Sequence, residues 1–182
     1  MTTNAPPAGR EEVVAAVLDA AAELFADRGP SATSIRDIAT RSRVNHGLVY
    51  RHFGTKERLV GAVLDHLGAT LRVLVAADAP AEDIERATDR HTRVMARALL
   101  DGYPVGRLQT QFPNVALLLD RVLPEFADEQ AGRLAVANAV ALQLGWRLFE
   151  PFLRSATGLA EVPDAAVHTS AAAAAARILT PD

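Results

Sequence analysis

Only four residues, Ser42-Arg43-Val44-Asn45, separate two short segments that each read as an amphipathic helix, and this spacing constrains the fold more than any other feature. Before the gap, Thr33 or Ser34 can cap a helix. Asp37 is placed to complete a capping box on Ser34, and Ile35, Ile38 and Ala39 form one buried stripe. After the gap, Asn45 can cap a second helix ending at Phe53, with Val49 and Phe53 four apart on one side and Gly54 as its stop. Helix, tight turn, helix is a geometry that needs three things. They are a small residue at the crossing, apolar residues on the facing sides, and polar or basic residues outward on the second helix. Ala39 supplies the first, Ile38, Val44 and Val49 the second, and His46, Arg51 and His52 the third.

The flanking sequence extends this reading. Residues 1–9 are polar, proline-containing and aperiodic, the pattern of a disordered arm. From Arg10 to Arg28 the set Val14, Val17, Leu18, Ala21, Leu24 and Phe25 follows helical periodicity, with acids in the first turn and Gly29-Pro30 at the end. Thr55 can cap a long fourth helix, along which Leu59, Val63, Leu67, Leu71 and Leu74 share one side. A helix from about Pro80 to Leu100 is expected next, then a broken stretch from Tyr103 to Pro124 interrupted by three prolines. A long helix through about Ser155, kinked at Pro151, and a last helix from about Pro163 to Leu179 complete the chain. There is no strand signal. The reading is all-α with eight or nine helices: an arm over 1–9, a three-helix helix-turn-helix domain over 10–54, and a larger helical domain over 55–182 reached by the long fourth helix.

Charge divides along the chain in the same way. The net charge of −3 hides a segment from Pro30 to Arg58 with six basic residues and two acidic ones, whereas beyond Arg58 eleven arginines face fifteen acids. A basic segment on an acidic body favours a polyanionic partner for one end. Other classes lose ground. Without cysteine, disulfides, thiolate metal sites and cysteine nucleophiles are excluded. The five histidines have no metal spacing, and neither a phosphate-binding glycine loop nor a G-x-S-x-G motif is present, so neither metal, cofactor nor enzyme is expected. Charges interrupt the apolar runs before membrane-spanning length, and the N-terminus lacks the regions of a signal peptide, so a cytoplasmic protein without membrane contact is expected.

The run Thr33-Ser34-Ile35-Arg36-Asp37-Ile38-Ala39, followed by Val44 through Leu59 with His46-Gly47-Leu48-Val49-Tyr50-Arg51-His52-Phe53-Gly54-Thr55-Lys56 at its centre, closely resembles the DNA-binding signature of the TetR family. With the first helix the match covers roughly residues 10–60. The segment Leu144-Gly145-Trp146-Arg147-Leu148-Phe149-Glu150-Pro151-Phe152-Leu153 is similar, more loosely, to a stretch in the penultimate helix of some members. The resemblance implies DNA contacts from Thr33, Ser34 and Arg36 and from His46, Gly47, Leu48, Tyr50, Arg51 and His52. Asn45, the cap between them, is a candidate DNA contact as well, as are Arg43 and Lys56. Gly47 lets backbone approach a phosphate or base edge; Tyr50, His52 and Lys56 can donate to phosphates, and Arg36, His46 and Arg51 suit base edges. For Tyr50 and His52 the alternative is packing on the first helix. Lys56, the only lysine among nineteen basic residues, stands where the family places a phosphate contact. Arg43 is a departure from the resemblance, since this turn position in the family is usually glycine. Either the turn differs here or Arg43 adds a cation beside the backbone.

Six of the nine aromatic residues lie between 103 and 152, where the resemblance places an effector pocket. The candidate lining residues are His91, Tyr103, Gln109, Phe112, Asn114, Gln143, Trp146 and Phe149, with core packing as the alternative for each aromatic and for His91. The resemblance also implies that the last two helices, rich in alanine and including Gly145, pair across a two-fold axis. The expected protein is thus a homodimeric transcriptional repressor, bound to double-stranded operator DNA as an inverted repeat and released by an apolar or amphipathic small molecule. The competing reading is a helical ligand-binding or protein-interaction module that no longer binds DNA, for which Arg43 is the best support.

Overall fold

A computed structural model describes residues 9–181, and these fall into two compact units that divide between Phe112 and Pro113. Most of the expected arm lies outside the described residues; Gly9 is the N-cap of the first helix. The first unit comprises α1 (Arg10–Arg28), α2 (Ile35–Ser42), α3 (His46–Phe53), α4 (Lys56–Ala76), α5 (Ala81–Leu100) and the single turn α6 (Val105–Leu108). The second holds α7 (Pro113–Val122), a 3-10 turn over Leu123–Glu125, α8 (Glu129–Ala156) and α9 (Asp164–Ile178). No strand occurs among the described residues, so the all-α reading holds.

Local chemistry sets the ends of the early helices. Ser34 Oγ accepts from Asp37 N at 3.1 Å while Ser34 N donates to Asp37 Oδ2 at 2.9 Å, completing the capping box. Asn45 Oδ1 accepts from Gly47 N at 2.8 Å and Thr55 Oγ1 from Arg58 N at 3.2 Å, so α3 and α4 begin where the sequence places their caps. One core then locks these helices together: Val17, Phe25, Ile38, Val49, Leu59, Val60 and Leu64 are essentially inaccessible to water. Each large member of this set contributes roughly 2 kcal/mol by its removal from water. By length and composition α4 could cross a membrane, with a mean hydropathy of 1.6. Here its apolar side is spent on the core.

The linker after α6 is fastened to α4. Asp65 accepts from Thr110 N at 2.9 Å, Thr110 Oγ1 at 2.6 Å and Gln111 N at 3.0 Å. One turn earlier on α4, Gly61 leaves room for the Leu108 carbonyl, which would lie 2.3 Å from a Cβ at that position.

The stretch from Tyr103 to Pro124 is more helical than its prolines indicate. Pro104 caps α6 and Pro113 opens α7, positions where a missing N–H costs nothing, so these prolines start helices instead of interrupting them. As the sequence reading expects, α8 continues past Pro151, ending at Ala156. In the second unit Asp128 caps α8 through Gln130 N and Ala131 N, at 3.1 and 3.2 Å. The largely buried Arg154 closes the α8–α9 turn, reaching Glu150, Asp164 at 2.9 Å and the Ala160 and Val162 carbonyls.

Candidate nucleic-acid interface

Packing turns one side of α3 inward through Val49 and, partly, Leu48 and Phe53, and leaves His46, Gly47, Tyr50 and Arg51 exposed. Tyr50 is 67% exposed, which rules out packing on α1 as its role. His52 is half-buried with its ring 6.4 Å from that of Phe53, so packing claims part of it. Beside α3, an open concavity of about 550 Å³ is lined by Arg36, Ala39, Thr40, Arg43, Val44, Asn45 and His46. Four residues singled out from the sequence, Arg36, Arg43, Asn45 and His46, therefore meet there from α2, the turn and α3.

Two of the expected contacts are structural. Thr33 is buried and its hydroxyl donates to the Gly29 carbonyl at 2.8 Å, so it cannot offer its side chain to a partner. Leu48 is half-buried against the core. Ser34 and Asn45 are exposed but engaged in capping. Of the basic residues in this segment, Arg41 is tied to Glu23 of α1, Nε to Oε2 at 2.8 Å.

Arg43 resolves the question its sequence position posed. It adopts φ 57° and ψ 29°, the left-handed conformation that glycine supplies at low cost, and its N–H is bonded to the Ala39 and Thr40 carbonyls. The turn is therefore kept, at a cost of about 1 kcal/mol, and the side chain is left on the concavity.

Asp37, beside this surface, is paired locally. Asp37 is held below the usual carboxylate range by the Ser34 backbone N–H first, then by the Ser34 hydroxyl and by Arg28, whose Nη2 lies 2.9 Å away. Lys56 is half-buried at the start of α4; burial lowers its pKa, while Asp101 and Asp37 favour its charged form. Sequence reasoning missed Arg10, which lines a second concavity of about 470 Å³ with Gly9, Val13, Leu48, Arg51 and His52. Its signal was a basic residue opening the helix that packs on α3, read only as a helix boundary.

The eight expected effector residues are divided between the two units. His91, Tyr103, Gln109 and Phe112 belong to the first unit; Asn114, Gln143, Trp146 and Phe149 belong to the second. Gln109 is buried and donates to the Gln111 carbonyl at 2.8 Å, holding its own loop. Tyr103 packs against the core, and burial, with Asp101 and Glu57, raises its pKa. Phe112, Asn114, Gln143 and Phe149 are exposed and Trp146 is half-buried. His91 is different: its Nε2 is buried without a hydrogen-bond partner, and burial pushes the imidazole pKa down. A groove of about 220 Å³ between α4 and α5, lined by Leu67, Thr70, Leu74, Asp83, Ala87, Arg86 and Arg90, contains none of the eight.

A short helix presenting polar and basic side chains, set at a tight turn against a second capped helix, defines a helix-turn-helix protein of the DNA-binding class. Residues 17–63 match the model for bacterial regulatory proteins of the tetR family. Over 175 residues the chain is 66% identical to the HTH-type transcriptional repressor Rv3405c of Mycobacterium tuberculosis, covering 96% of this chain and 93% of that one. Over 107 residues it is 36% identical to the HTH-type transcriptional repressor KstR2 of Mycolicibacterium smegmatis, covering 52% of this chain and 50% of the relative. The crystal structure of a HlyIIR mutant protein superposes with a TM-score of 0.50 at 18% identity, covering 94% and 97% of the two chains, a likeness of fold. The chain belongs to the TetR family of transcriptional regulators.

Proposed function

We propose that the protein is a homodimeric repressor that binds an inverted-repeat operator through α2 and α3 and is released by a small apolar or amphipathic ligand. The observation that carries the DNA-binding part is the meeting of Arg36, Arg43, Asn45 and His46 in one open concavity, continued along α3 by Tyr50 and Arg51. Arginines suit guanine edges and phosphates, Tyr50 and Lys56 suit phosphates, and the exposed backbone at Gly47 permits close approach. A helix of eight residues reads only a few base pairs, so useful specificity calls for a second copy.

The pattern of α8 supports that second copy. Leu134, Asn138, Ala141, Gly145, Leu148 and Phe152 follow the alternating four-and-three spacing of a coiled-coil seam. Leu134, Leu148 and Phe152 are 56%, 38% and 67% exposed, while the opposite side of α8 buries Gly132, Ala135, Val136 and Ala139. An apolar seam left open in one chain suits a partner of the same kind. For the effector, the buried unpartnered Nε2 of His91 is a group that a ligand's polar atom would satisfy.

The test is duplex binding across ionic strength. Operator affinity should fall with a log–log slope of about −4 or steeper, and a lone half-site should bind far more weakly than the inverted repeat. A slope near zero, or equal affinity for scrambled duplex, would remove the reading. Effector titration with and without operator should give affinities that differ by the factor with which the effector weakens DNA binding.

A further inference from the structure

We propose that Asp101, at the C-terminus of α5, is a positioning residue for DNA recognition, holding the turn that leads into α2 from outside the helix-turn-helix. This rests on the DNA-binding reading above and adds to it a residue remote in sequence from the module. Asp101 Oδ2 accepts from Ser31 N at 2.6 Å, a short, charge-assisted bond spanning 70 residues. Ser31 lies in the turn between α1 and α2, three residues before the Ser34 cap. Around it, Thr33 N donates to the Pro30 carbonyl at 3.1 Å, Thr33 Oγ1 to Gly29, and Arg28 pairs with Asp37. Those bonds join α1 to α2; the bond to Asp101 ties the same corner to α5.

The approach is close enough to dictate sequence. Gly29 has φ +81°, and a Cβ there would lie 2.8 Å from Asp101 Oδ2 and 3.7 Å from Arg97 Cβ. A side chain at position 29 would push the carboxylate off Ser31. The same carboxylate attracts Lys56, the residue to which a phosphate contact is assigned. Asp101 therefore bears on the corner that sets the N-terminus of α2, which carries Arg36, and its charge favours the ammonium form of Lys56 at the start of α4.

A bare negative charge here would have the opposite effect from a positioning group, and this separates the two. If Asp101 acted only through charge, its removal would strengthen binding to any duplex by relieving repulsion from phosphates. If it positions the α1–α2 corner, removal weakens the operator and spares non-specific binding. The experiment measures affinity by fluorescence anisotropy for an operator duplex selected with the wild-type protein and for a scrambled duplex of equal length. Asp101→Ala should weaken operator binding roughly tenfold, the scale of one lost charge-assisted hydrogen bond, with scrambled-duplex affinity unchanged or slightly raised. Asp101→Asn keeps a carbonyl acceptor for Ser31 and should retain operator preference, whereas Asp101→Glu keeps the charge, displaces its oxygens and should lose preference as Asp101→Ala does. Amide exchange at Ser31, read without DNA, should accelerate in the Ala and Glu variants alone. Equal preference in all four proteins, or tightening of both duplexes by Asp101→Ala and Asp101→Asn alike, overturns the proposal while leaving DNA binding intact. A wild-type protein that binds neither duplex overturns the underlying reading, and the proposal with it.

Discussion

Replacing Gly61 by alanine sets two opposing effects against each other in one methyl group. In an isolated helix the change would stabilise α4 by about 1 kcal/mol, because glycine forgoes that much helix propensity relative to alanine. In the folded protein the new Cβ falls 2.3 Å from the Leu108 carbonyl oxygen and 2.9 Å from its carbon, well inside van der Waals contact. The obstacle is backbone, which no rotamer change can move. Leu108 N is bonded to the Pro104 carbonyl at 3.1 Å, and the two residues after Gln109 are fastened by the three bonds to Asp65. Relief requires sliding α6 and its linker away from α4. Overpacking of this kind costs about 1–3 kcal/mol, and weakening one of the Asp65 bonds adds about 1 kcal/mol. Against the gain in propensity, the net is a loss of about 2 kcal/mol, or roughly 4–8 °C in Tm for a chain of this length. Urea unfolding followed by circular dichroism reads it directly, as a lowered midpoint with an unchanged m-value. Gly106→Ala is the control, since a Cβ there meets nothing within 4 Å, and its effect should be neutral or stabilising by up to about 1 kcal/mol. A Gly61→Ala protein as stable as the wild type would refute the close approach of α4 and the α6 linker.

Other expectations follow from the same geometry. Lys56→Ala should weaken all duplexes alike and flatten the salt slope by about one, whereas Arg36→Ala and Arg51→Ala should each cost about 1–3 kcal/mol at particular operator positions; affinities across operator variants distinguish the patterns. Arg43→Gly should stabilise the protein by up to about 1 kcal/mol in urea unfolding by relieving the left-handed turn, and lower the salt slope by about one. Burial depresses the His91 pKa below its ordinary 6.5, so the unfolded chain binds the proton first: stability should fall as pH drops through about 6.5 toward the folded value, be fully present above it, and lose this dependence in His91→Gln. Phe152→Glu places a carboxylate in the α8 seam and should shift sedimentation equilibrium to monomer while helix content is retained.

The helix-turn-helix was legible because its boundaries are written in local chemistry. Ser34, Asn45 and Thr55 each cap the helix that follows within three residues, and such short-range bonds survive any tertiary arrangement. The choice between Thr33 and Ser34 was not legible. Adjacent hydroxyls look alike in a sequence, and only the path of the chain turns Thr33 inward onto Gly29. Prolines misled for a related reason: Pro104 and Pro113 break a helix or begin one according to where the preceding turn stops. The effector residues were the hardest to place. An aromatic cluster in sequence can be core, surface or pocket, and here Tyr103 packs inward while Phe149 and Phe152 are more than half exposed. Asp101 left no signal at all, because a lone acid after a helix gains its meaning from an amide 70 residues earlier.

The two ends of the chain pose one problem between them. On the proposed reading an eight-residue α3 offers only a short base-reading surface, and much of the affinity that Arg43 and Lys56 can add goes to phosphates, which carry no sequence. Adding basic residues to the module would raise non-specific binding along with specific binding. Adding a second, symmetry-related module at a fixed spacing raises the specific term alone, because only an inverted repeat engages both. The α8 seam offers a way to fix that spacing. Its spacing pattern, its small residues Ala141 and Gly145, and its exposed Leu134 and Phe152 are not part of the buried core among the described residues. A chain with an acidic body and a basic reading surface also keeps non-cognate contacts low, since the rest of the molecule is repelled by the polyanion that one face attracts. Selectivity in this protein would then come from symmetry and charge division as much as from any single side chain in the groove.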